Sequence, residues 1–84
     1  MDRNKRPPRI SQCFRTAFDF LTERTNTLQH VGNTAGFWDA TAEIATFKAN
    51  QSENEPLLLD LLAICTEDLE RQARTMERKR GGIR

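Results

Sequence analysis

One histidine and two cysteines are all that an 84-residue chain offers here in the way of imidazole or thiol ligands. His30 has no second ligand three or four residues away, the spacing at which a helix presents a metal pair, so a structural place at a helix end is expected of it. Cys13 and Cys65 have no histidine near them in sequence and fall in or beside apolar helical patterns, where a thiol is inert. No glycine-rich loop follows a strand, so no phosphate cradle of the nucleotide-binding kind is present. The carboxylates are scattered over the outer sides of helices. A non-enzymatic protein is expected, with no metal, no cofactor and no small-molecule ligand.

Long apolar runs are also missing. The longest, residues 57–65, is broken by Asp60 and falls far short of the roughly 20 residues a membrane span needs. The opening MDRNKRPPR is polar and basic, with no apolar segment after it, so no signal peptide is read there. The expected setting is the cytoplasm, with both thiols reduced.

What remains is helical. A chain of this length builds one thin core at most. Pro7 and Pro8 mark residues 1–9 as a flexible basic arm. From residue 10 to about 30, Ile10, Phe14, Ala17, Phe18, Leu21 and Leu28 recur at spacings of three, four and seven and predict a first helix buried on that row. Ser11 is its candidate cap, and Phe20 with Cys13 lies toward one flank. VGNTAG (31–36) has the composition of a turn. A second helix over about 35–50 shows two apolar rows, Phe37-Ala40-Ile44-Phe47 and Trp38-Ala42-Ala45-Ala49, the pattern of a helix held between two neighbours. Ser52 and Glu55 have capping-box spacing ahead of Pro56. A third helix over about 53–80 then runs without a breaker to Gly81-Gly82, leaving residues 81–84 as a flexible tail. The fold class is all-α: a small antiparallel three-helix bundle with a long third helix that overshoots the other two, and flexible basic termini.

The third helix has more leucine than one face can use. Leu57, Leu58, Leu61, Leu62, Cys65, Leu69 and Ala73 already cover a broad arc, and Leu59 and Ile64 fall beyond its two edges. Leu69, Ala73 and Met76 extend the seam past the expected end of the bundle. Together with Trp38 of the second helix, Leu59, Ile64, Leu69, Ala73 and Met76 form a candidate interface. Its expected occupant is a second copy, as a dimer, or another helical protein.

Net charge is only +1, yet the ends and the body differ sharply. Residues 1–9 carry +3, residues 71–84 carry +5 and residues 10–70 carry −7. The basic ends open an alternative, a nucleic-acid-associated accessory role, in which Arg3, Lys5, Arg6, Arg9, Arg78, Lys79, Arg80 and Arg84 would neutralise phosphates. Against it stand the acidic body, the absence of aromatics among the basic residues, and tails that leave an up-down-up bundle at opposite ends. Glu67–Arg71 and Glu70–Arg74, spaced i,i+4, offer a plain structural use for part of the charge.

Overall fold

The computed structural model describes residues 9–82 and contains three helices, α1 (Arg9–Val31), α2 (Ala35–Gln51) and α3 (Pro56–Gly82). Residues 1–8 of the expected arm and the last two residues of the expected tail lie outside the described residues. Arg9 already belongs to α1, so Ser11 sits exposed inside the first turns rather than at the cap. Gly81 and Gly82 close α3 from within; glycine permits a helix to stop but does not compel it.

The two turns explain the up-down-up path. Gly32 takes φ +83°, a conformation that favours glycine, and its N–H returns to the Leu28 carbonyl at 2.8 Å. Thr34 then caps α2: its Oγ1 accepts from the Phe37 N–H at 3.2 Å. At the second turn the expected capping box does not form. Ser52 instead serves the end of α2, its hydroxyl donating to the Ala49 carbonyl at 3.0 Å. Glu53 and Asn54 both take positive φ, which carries the chain away before a Ser52 hydroxyl could reach α3. Glu55 starts α3: its carbonyl accepts from Leu59 at 3.0 Å and its carboxylate from the Leu57 N–H at 3.4 Å.

Contacts between α1 and α3 fix their alignment. Arg9 pairs with Glu55 at 2.6 Å, the Cys65 thiol donates to the Ala17 carbonyl at 3.6 Å, and Gln72 Nε2 donates to Thr25 Oγ1 at 3.1 Å. Positions rise together on both helices, so α1 and α3 are parallel and α2 runs back between their ends. Their interface is the main one; α2 packs more lightly, least of all on α3. By the same alignment the end of α1 is level with residue 78, so α3 overshoots by about one turn.

The core differs from the expected one on α1. Buried there are Cys13, Ala17, Phe20, Arg24 and Leu28, a row at spacings of four and three. Ile10, Phe14 and Phe18 of the expected row are instead 55%, 53% and 67% exposed. An arginine in the middle of the true row hides it from a reading by apolar periodicity. On α2 the buried line, Phe37, Thr41 and Ala49, runs between the two expected rows, and Phe47 is exposed. Thr41 belongs there because its hydroxyl donates to the Phe37 carbonyl at 2.7 Å. On α3 the expected face is the observed one: Leu58, Leu62, Cys65, Leu69 and Ala73 are buried.

Both thiols are unpaired and buried. Burial, and secondarily the Asp68 carboxylate, pushes the Cys65 thiol above its ordinary pKa. A raised acid pKa in the folded state means that the protonated thiol contributes stability at neutral pH. That contribution fades as pH climbs above the ordinary thiol value toward the folded one. Modification by a disulfide reagent at neutral pH is accordingly expected to be slow and to follow global unfolding in urea. Fast labelling of either thiol in the native protein would show α1 and α3 opening locally.

Candidate interaction surface

The side of the α1–α3 seam turned away from α2 is marked by a polar ladder. Gln72 Nε2 donates to Thr25 Oγ1 and, at 2.9 Å, to Asp68 Oδ2, while the next residue on α1, Arg24, reaches α2 instead. Seven residues fall just short of two helical turns. Phe18 therefore lies on the same line of α1 as Thr25, two turns lower, and Leu61 lies likewise below Asp68 on α3. At four-residue steps Phe14 and Ile10 lie about 40° and 80° from that line toward the seam, level with Leu61 and Leu57 of α3, while Ile64 stands nearest the level of Phe18.

In the lower half of the molecule the polar ladder thus gives way to an apolar face. Its most exposed members are Phe18 at 67% and Ile64 at 59%, with Leu57 and Leu61 half-buried in the groove between the helices. Single exposed apolar residues are ordinary on any soluble protein. Four large ones next to one another on two adjacent helices make a patch of the kind that marks an association site.

The residues expected to form an interface are not brought together. Ile64 joins this face. Leu59 is five residues away, about 140° round α3, and with Ala63 borders Ala45 and Ala49 of α2. Leu69 and Ala73, at 0% and 3% exposure, are core of this chain rather than an outer seam. Met76 packs half-buried against that core and shares a shallow cleft with Gln29, so α1 already reaches the part of α3 expected to stand alone. Trp38 is half-buried, its indole N–H donating to Asn33 Oδ1 at 2.6 Å and its ring meeting Phe37 edge-on at 4.7 Å. Ile10, Phe14 and Phe18 did carry a signal, their helical spacing, but the same spacing describes a core row.

Charge on the other flank of α1 is held internally. Arg24, 5% exposed, bonds Glu23 through Nε and a second nitrogen at 2.7 and 3.0 Å, Thr41 Oγ1 at 3.1 Å and Thr27 Oγ1 at 3.3 Å. Its guanidinium also lies 5.1 Å from the centre of the Phe37 ring. The Arg24 hydrogen bond lowers the Glu23 pKa against a smaller opposing effect of burial, with Thr27 and the Lys48 charge assisting. A lowered carboxylate pKa contributes stability above the ordinary carboxylate range, lost as pH falls through the folded value. With the Glu23 side chain 57% exposed, that contribution is small.

Of the basic set, Arg9 is tied to Glu55, and Arg78 and Lys79 are exposed near the far end of α3. Arg80 lies in the closing turn of the same helix, and Arg3, Lys5, Arg6 and Arg84 fall outside the described residues. In place of the expected i,i+4 pairs the structure holds an i,i+3 pair, Arg71 to Asp68 at 2.8 Å, and the other oxygen of Asp68 accepts from Gln72. Among the described residues no cluster of three metal-ligating side chains occurs, and no helix is long and apolar enough to cross a membrane. No protein-family model, no curated protein and no solved structure matches the chain.

Proposed function

We propose that this protein is a non-enzymatic helical interaction module whose working surface is the outer face of α1 and α3. The observation that supports it is the row Ile10, Phe14 and Phe18 exposed beside Ile64. Leaving side chains of that size in water forgoes roughly 1.5–3 kcal/mol of burial each, which association through this face would recover. The sequence placed the surface on the second and third helices; the proposal moves it to the first and third. Two unpaired thiols suit a reducing compartment such as the cytoplasm.

A photoreactive phenylalanine analogue at position 18, expressed in cells, tests the surface directly. A covalent adduct is expected from position 18 and not from position 59, which lies on the flank facing α2. Adducts from position 59 alone, or none from position 18, would place the working surface elsewhere.

A further inference from the structure

Resting on the reading that this face is an association surface, we propose that its occupant is a second copy of the chain, related by a two-fold axis parallel to the helices. In that arrangement α1 of each copy lies over α3 of the other and points the same way. The rim charges carry the inference. Arg15, three residues before Phe18, lies about 60° outward of it on α1, and Asp60, four before Ile64, about 40° outward on α3. Both are exposed. Among the described residues neither makes a salt bridge; the pairs present are Arg9–Glu55, Arg24–Glu23 and Arg71–Asp68. They occupy equivalent places on opposite borders of the apolar face. Since Ala17 meets Cys65, Arg15 stands within about one turn of the level of Asp60.

A two-fold axis along the helices brings Arg15 of each copy to Asp60 of the other, twice per dimer, and sets the α1 row on Leu57, Leu61 and Ile64. An axis across the helices at the centre of the face would lay α1 on α1 and α3 on α3, bringing Arg15 near Arg15 and Asp60 near Asp60. An isologous contact is self-complementary only in the first case. The chain's own residues 1–8, MDRNKRPP, are mostly charged or polar and do not match an apolar face.

The test is a charge-reversal cycle on the full chain, read as the dimer dissociation constant by sedimentation equilibrium, with circular dichroism to confirm unchanged helix. Arg15→Glu and Asp60→Lys are each expected to weaken the dimer about tenfold, since an exposed pair is worth a factor of a few and each dimer has two. The double variant is expected to return to within about threefold of the unmodified chain. Single variants without effect, or losses that add in the double, would overturn the parallel arrangement. An unmodified chain that stays monomeric would overturn the second copy as occupant. An adduct from position 18 to a different protein would then leave the proposed surface standing, whereas no adduct there would overturn both.

Discussion

Phe20→Ala is expected to cost this fold about 3–5 kcal/mol, while Phe18→Ala, two residues away, is expected to change its stability by less than about 0.5 kcal/mol. The contrast follows from burial. Phe20 is 1% exposed in the core and Phe18 is 67% exposed. Truncating a buried phenylalanine costs about 3–5 kcal/mol, the lost transfer energy plus the cavity left behind. A chain of 84 residues has about 4–13 kcal/mol in total. At about 4–8 °C per kcal/mol, the midpoint would fall by about 12–40 °C. Thermal unfolding followed by circular dichroism checks it. Equal losses at both positions would mean that α1 is rotated from the orientation described here.

The second large effect concerns Arg24, whose side chain fills a core position. Arg24→Ala is expected to cost about 2–4 kcal/mol and Arg24→Met less than about 1 kcal/mol. The reason lies in what each change leaves behind. Thr41 still donates to the Phe37 carbonyl, and Glu23 is half in water, so neither is stranded when the guanidinium goes. What alanine loses and methionine keeps is the stem of a side chain that is 5% exposed in the buried row of α1. Urea denaturation of the three proteins separates the cases. If methionine were as damaging as alanine, the hydrogen bonds and not the packing would be what Arg24 supplies.

Arg24 also explains where the sequence was legible and where it was not. The three helices and the glycine turn were readable, because breakers are local chemistry; the Ser11 and Ser52 caps were not, because they depend on where each helix begins. The buried face of α3 was readable too: Leu58, Leu62, Leu69 and Ala73 contain no polar interruption. On α1 two rows compete, Ile10-Phe14-Phe18 and Cys13-Ala17-Phe20-Arg24-Leu28, and the first is the more apolar. Which one turns inward depends on Thr41, Thr27, Glu23 and Phe37 jointly accommodating a guanidinium, and three of those four lie on other turns or another helix. Periodicity does not register such an arrangement. The proposed surface was missed for the same reason, since a row assigned to the core cannot also be offered to a partner. The leucines of α3, in turn, proved mostly internal, and only Ile64 and Leu59 of that set stand out in water.

The most direct test of the association surface is the solution mass of the unmodified chain and of Phe18→Asp, measured by light scattering over a matched range of concentration. The unmodified chain is expected to move from 9.7 kDa toward twice that value as concentration rises. Phe18→Asp is expected to stay at the monomer mass with its helix content intact, because the new carboxylate would be buried without a partner only in the dimer. A variant that associates as the unmodified chain does, or that loses its helices, would contradict the account: in the first case the face is not the contact, and in the second Phe18 is core.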